Sequence, residues 1–597
     1  MKQLLIGIDV GSTTTKITVL DKTTESLLYS DYRRHHADQL ASVLFAIRYA
    51  DMAEDSFHQE LLAEGERILK QVTEENRYAV IPASRPYQND PLVNHNLPEM
   101  FTSLGIPVLT ADAVPGVNDV DLTNSRLDVV NNYHARMLGS AVIAAENPHL
   151  EYVQIVSFGC GHDAYLSDEI IRLMKQVSGK IPLVLKLDES EIQGPLRIRV
   201  RSFIETVRMQ REKHEEAPVH ALTDPYPVKY EQKDRKERIV LIPNTSHAFC
   251  RVMSAAMERQ GLRAEPLPIG RDEAIRLGKK YVHNDICFPA QIVIGEALAA
   301  LKSGKYDGKD VAIATGKYIG DCRLTHYSAL LRKALDDAGF SDVPILTNDD
   351  ADFHNLHPGF RLNLLSALRI AYALPMIDIL EELLRKIRPY ELTKGNADAA
   401  FEQAMDAVIN GLSRHGVNGA KHGFEIIEAR MSDVIQKSYF YRDMQVREYH
   451  LHKPLQEKLW YRMADLFFDL AHDAADKIAS AHPLYDRPAV RLPELVKESD
   501  PIIHHTFDAG EGVLIPGEIL HHAAHGCRAF VILQPFGCLP NHVVGRGISK
   551  RLKELYPDIQ ILPLDYDPDV SFANIENRLQ MLIMNAREQE AEKDKTK

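Results

Sequence analysis

The chain has 597 residues, of which 45% are hydrophobic and 26% charged, and its formal net charge is −14. That is the make-up of a globular protein with room for several cores. The acidic balance argues against a nucleic-acid or anionic-membrane binder, and no apolar run approaches the roughly 20 residues of a membrane span. Asp9 arrives too early for a secretory leader, so a cytoplasmic location is expected. In that reducing setting the six cysteines are not expected to pair, and none is spaced as the CxxC of a zinc ribbon.

The order of elements predicts an α/β multidomain fold. Residues 1–45 open with a β-hairpin: Leu4 to Val10, a turn at Gly11–Thr15, and a β-branched return from Lys16 to Leu20. Residues 37–75 carry a helical apolar pattern. A first α/β domain is expected over 46–208. It holds strands at Tyr78–Pro82, Pro107–Thr110, Glu151–Phe158 and Ile181–Leu187, with Asp188 and Glu189 after the last. Arg197, Arg199 and Arg201 are expected to alternate on one face of a further strand, as an ion-pair lattice or a polyanion site. Residues 209–237 read as a charged linker. A second α/β domain, 238–361, alternates strands and helices in the manner of a parallel sheet. A helical region, 362–504, is followed by a C-terminal α/β segment, 505–590, and a charged, frayed end.

Four cysteines, Cys160, Cys287, Cys322 and Cys538, sit in short Gly- or Pro-flanked turns, each followed by a helical pattern. In an open α/β sheet that edge is where ligands bind, and a helix N-terminus there favours a thiolate. Thiolates are the soft ligands that iron–sulfur clusters need, so these four are candidate cluster ligands, with inert buried thiols as the alternative. Cys250 and Cys527 read as buried thiols. Arg323 could offset cluster charge or hold an anion, and a surface ion pair is the commoner fate of such a residue. His283, His326 and His542 are candidates for hydrogen bonding to sulfur or for capping loop backbone.

The hairpin phrase Ile8-Asp9-Val10-Gly11-Ser12-Thr13-Thr14-Thr15-Lys16 has the chemistry of a phosphate loop. Gly11 lets backbone approach phosphate, the N–H groups and hydroxyls of Ser12, Thr13 and Thr14 cradle it beside Lys16, and Asp9 would orient Mg²⁺. It resembles the first phosphate loop of the actin, sugar kinase and Hsp70 ATPases. More narrowly, it resembles the opening of activators of 2-hydroxyacyl-CoA dehydratases. Further phrases recur in the same order in one family. They include Arg85-Pro86-Tyr87-Gln88-Asn89-Asp90-Pro91, Ser157-Phe158-Gly159-Cys160-Gly161-His162-Asp163, His283-Asn284-Asp285-Ile286-Cys287-Phe288-Pro289, Cys322-Arg323 and Phe536-Gly537-Cys538-Leu539-Pro540-Asn541-His542. The chain thus resembles an activase-related protein of the benzoyl-CoA reductase and 2-hydroxyglutaryl-CoA dehydratase superfamily, shortened internally. No second phosphate loop or adenosine loop is found, which leaves a site for ATP and Mg²⁺ incomplete.

The resemblance implies flavodoxin- or Rossmann-like sheets, an actin-like remnant at the N-terminus, and a [4Fe-4S] cluster. Cys287, Cys322 and Cys538 would be its ligands, with Cys160 as a fourth candidate. It further implies ATP-coupled, low-potential electron transfer to an acyl-CoA or other small substrate. The partners would be a separate activator ATPase or a second copy of the chain. The alternative is a non-catalytic scaffold or regulatory partner that has lost its ATPase and its cluster.

Overall fold

The computed structural model describes residues 4–10, 14–21, 26–34, 39–53, 411–414 and 589–596 as backbone, and 54–588 with side chains apart from 130, 158–159, 188–192, 214–217, 319, 321, 348–356, 411–430, 481–489, 568 and 570. Gly11, Ser12, Thr13, Asp188 and Glu189 lie outside the described residues, and Asp9, Thr14 and Lys16 are described by backbone alone. The chain divides into two compact units, one formed by Met1–Leu122, Asn132–Val156 and Ile170–Leu222, the other by Thr123–Asn131, Ser157–Glu169 and Thr223–Lys597.

The first unit opens on the expected hairpin. Strand β1 (Leu4–Val10) pairs antiparallel with β2 (Thr14–Asp21) in a register that sets Asp9 opposite Lys16. A third antiparallel strand, β3 (Ser26–Arg34), follows, with a register irregularity at Val19/Leu20. A long helix, Gln39–Glu74, leads to a second sheet of order β4 (Ala79–Ala83), β5 (Leu150–Ser157) and β6 (Leu183–Leu187). The strand expected at 107–110 contributes only a single parallel bridge, Val80 to Val108. Buried Val80, Phe101, Val153, Ile155, Leu185, Leu196 and Val200 form the core here.

The arginine alternation is a correction. Arg197, Arg199 and Arg201 lie on a helix, Gln193–Glu212, not a strand. Its buried residues, Leu196, Val200 and Val207, repeat at helical spacing, and that apolar period overrides the period-two charge pattern. Arg199 donates to the Val184 carbonyl at 2.6 Å and Arg197 to Gln193 Oε1 at 2.9 Å, so the three arginines do not line one face of a strand.

The second unit contains a four-stranded parallel sheet of β7 (Ile239–Ile242), β8 (Arg263–Pro266), β9 (Val311–Ala314) and β10 (Ile345–Leu346), in the order β8-β7-β9-β10. The direction of winding reverses between β7 and β9, and the carboxyl edge beside such a reversal is where α/β sheets bind ligands. Helix His247–Glu258 is capped by Ser246, whose hydroxyl accepts from Phe249 N. It joins Ile377, Leu380, Met405, Val408 and Ala475 of the helical region in one apolar cluster. The helix Leu364–Ile387 runs unbroken through Pro375. At the C-terminal end, β11 (Ala529–Pro535) and β12 (Gln560–Tyr566) pair in parallel under helix Leu514–Ala524. The last helix, Phe572–Thr596, continues through the stretch expected to fray.

Candidate functional site: three cysteine turns and a buried arginine

Three of the four candidate cysteines meet, all within the second unit. Each precedes a helical segment. Cys287 is the N-cap of helix Phe288–Lys302, Cys322 caps the 3-10 turn Arg323–His326 ahead of helix Tyr327–Asp337, and Cys538 precedes the π-helical turn Pro540–Arg546. The Phe288 N–H donates to the Phe536 carbonyl at 2.8 Å, which pins the Cys287 turn to the Cys538 turn. Gly537 has φ 70°, and a Cβ there would stand 3.0 Å from Cys287 Cα, so only glycine allows this approach. Gly510, at φ 53°, lies the same way against the third turn, where an added Cβ would be 3.8 Å from Cys322 Sγ.

The side chains around the sulfurs form a polar shell. Tyr327, buried, has its hydroxyl 3.3 Å from Cys287 Sγ, and the thiols of Cys287, Cys322 and Cys538 all act on its ionisation. Asn541 Nδ2 donates to Cys538 Sγ at 3.2 Å and to Glu511 Oε1 at 3.1 Å. Cys538 Sγ in turn lies 3.9 Å from that carboxylate oxygen. Behind them Lys437, almost wholly buried, pairs with Asp508 at 2.5 Å, and Asp508 accepts from the Tyr318 hydroxyl at 2.7 Å.

The expected thiolate bias of the helix N-termini is overridden by the surroundings of the three thiols. Burial, and after it the Glu511 carboxylate, pushes the Cys322 thiol up to about 12 and the Cys538 thiol up to about 11. Burial likewise raises Cys287, against the hydrogen bond from Tyr327 and the charge of Arg323. Desolvation, with the Glu511 carboxylate beside Cys322 and Cys538, outweighs a helix-end dipole worth a fraction of a pKa unit to about one unit. A bound cation reverses that balance, because ligating thiols deprotonate.

Arg323 is a second correction. It is 6% exposed rather than a surface ion-pair residue, and its Nε and Nη1 have no hydrogen-bond partner. A Cβ on Gly161 would stand 3.0 Å from its Cζ, so the guanidinium packs closely against the glycine that follows Cys160. Cys160 immediately precedes that glycine, at the start of helix Gly161–Ser178.

The remaining expectations divide. Cys250 is buried in the sheet's core and donates to the Pro243 carbonyl at 3.4 Å, whereas Cys527 is exposed, because it ends the tight turn before β11 and not the strand itself. His283 Nδ1 accepts from the Asp285 N–H at 3.1 Å, and His542 Nδ1 lies 3.1 Å from the Cys538 carbonyl, so both cap loop backbone. His326 is buried against the Tyr165 ring, with centroids 4.0 Å apart. Sequence reasoning missed Glu511, Tyr327 and the Lys437–Asp508 pair. The glycines on both sides of Glu511 were the available signal, since Gly512, like Gly510, sits where a Cβ would collide with its neighbours.

Residues 9–114 match a family described as a CoA enzyme activase uncharacterised domain. No curated protein and no solved structure matches the chain. Among the described residues, no helix is long and apolar enough to cross a membrane.

Proposed function

We propose that this chain is an iron–sulfur protein that passes low-potential electrons to an acyl-CoA or similar small substrate, in partnership with the activation of an acyl-CoA dehydratase. The observation that carries the reading is the meeting of Cys287, Cys322 and Cys538, from turns far apart in sequence, around one buried tyrosine. The activase family matched by residues 9–114 supports the link to acyl-CoA dehydratase activation.

The residues present fit such a group. Three thiols are a soft donor set suited to iron–sulfur ligation. A guanidinium buried to 6% exposure with two unpaired nitrogens is costly unless an anion faces it, and a thiolate-bound cluster is anionic. When bound, the cluster would supply one-electron transfer. The chain's own part is to hold it through the three thiolates and to direct the Tyr327 hydroxyl and the Asn541 amide at two of the sulfurs. Hydrogen bonds and positive charge near sulfur raise a cluster's reduction potential, which is the lever these side chains provide. Cys160 is the candidate for a fourth ligand; without it, one iron position would be left for solvent or substrate.

The test is anaerobic purification or reconstitution, followed by iron and sulfide analysis, a visible spectrum and electron paramagnetic resonance after reduction. The expected result is close to one cluster per chain, lost in Cys287→Ser, Cys322→Ser and Cys538→Ser and retained in Cys250→Ser and Cys527→Ser. A colourless, iron-free protein after reconstitution would remove the electron-transfer reading and leave the scaffold alternative.

A further inference from the structure

We infer that this protein self-associates through helix Leu455–Ala479, packed antiparallel against the same helix of a second copy. One face of that helix is buried on its own unit through Tyr461, Phe468, Ala471, His472, Ala475 and Ala479. The opposite face carries an unbroken apolar row. Leu459 is 50% exposed, Met463 63%, Leu466 59% and Leu470 50%, with Trp460 at 51% beside them. Single exposed leucines are normal on a protein surface, but a contiguous row is not. Together these side chains expose on the order of 500 Å² of apolar surface, at the upper end of the patches that monomers leave uncovered.

The spacing identifies the occupant. Leu459, Met463, Leu466 and Leu470 are separated by four, three and four residues, the a/d seam of a two-helix coiled coil. Polar residues bound the seam at the same spacing, Gln456 before it and Asp473 after it. In an antiparallel self-pairing, Met463 faces Leu466 of the second copy and Leu459 faces Leu470, so every apolar layer is filled and Gln456 meets Asp473. The flanking positions then match as well: Arg462 lies beside Asp469 of the second copy, and Trp460 beside Phe467. A parallel pairing would set Arg462 beside Phe467 and Asp469 beside Ala474, which gives no charge match. Self-complementarity of this kind is what a two-fold interface requires. Arg462 donates through Nε to Asp443 at 3.0 Å, and Asp469 accepts from Gln436 at 3.0 Å. These contacts hold both side chains in place at the edge of the seam, and Arg462 remains 61% exposed. Two such faces would bury about 1,000 Å² in total, the lower limit for a specific interface, so the pairing should be reversible at micromolar concentration.

Light scattering after size exclusion, on the full chain from low to high micromolar concentration, tests this. The expected result is a concentration-dependent dimer. Leu466→Glu should abolish it while leaving the far-ultraviolet circular dichroism and the melting temperature near wild type. Arg462→Glu and Asp469→Arg should each weaken the dimer several-fold, and the double variant should restore it, which no merely structural role of either residue would produce. A wild type that stays monomeric at high micromolar concentration would overturn the inference. So would a dimer that Leu466→Glu leaves intact, or a charge-reversed double variant no stronger than the singles.

Discussion

Arg323 shows most directly how one side chain ties stability to function. Its guanidinium is buried with Nε and Nη1 unpaired, which costs about 1–3 kcal/mol per unsatisfied group. Arg323→Met should therefore leave the metal-free protein as stable as wild type, or more so. The same change should lower the midpoint potential of the loaded protein, because a positive charge beside Cys287 is gone. Thermal melts of the metal-free protein and potentiometric titration of the loaded one check the two halves. An unchanged potential would separate Arg323 from the cluster chemistry.

His134 gives the pH-dependence at the same scale. It is buried, and desolvation, followed by the charge of Arg85, lowers it from 6.5 to about 4. The unfolded chain therefore binds a proton in that window that the folded chain refuses. Stability should fall as pH drops from 6.5 towards 4, by up to about 3 kcal/mol from this group. His134→Gln should flatten the corresponding part of a plot of unfolding free energy against pH. An unaltered slope would contradict the assignment.

At the scale of elements, the site is made by turns between strands and helices, and glycines decide how closely the turns approach. Gly537 is the clearest case, since its positive φ and its 3.0 Å approach to Cys287 Cα both exclude a side chain. Gly537→Ala should cost about 1–3 kcal/mol through strain and overpacking. It should also push the Cys287 and Cys538 turns apart, so that iron retention falls more steeply than the melting temperature. A variant that melts early but holds its full iron content would show that the turn contact does not position the thiols. The helix bearing Arg197, Arg199 and Arg201 teaches the complementary lesson. Charges at alternate positions suggested a strand, yet Leu196, Val200 and Val207 had one surface to bury, and burial of apolar area is worth more than an exposed charge pattern.

For the whole molecule, the hairpin of β1 and β2 stands in its expected place, with Asp9 paired to Lys16 across it. A phosphate site of this kind needs facing loops, and the sequence holds none that can be recognised. ATP is therefore expected to bind no more tightly than millimolar by calorimetry, with Asp9→Asn changing nothing. Micromolar binding lost in Asp9→Asn would show that the hairpin works with loops of another form.

The α/β class, the order of most strands and helices, and the helix-start position of all four turn cysteines followed from the sequence itself. These are local properties, set by apolar period, turn residues and helix-start signals within a few residues of one another. The tertiary structure decided which cysteines meet, that Arg323 is buried against Gly161, that Glu511 and Tyr327 stand among the thiols, and that burial raises those thiols. Those facts depend on contacts between segments hundreds of residues apart and on desolvation, which exists only once the chain has packed around a group. The seam on helix Leu455–Ala479 belongs to both. Its spacing was written in the sequence, but only the fold showed that the face opposite Tyr461 and Phe468 stays exposed.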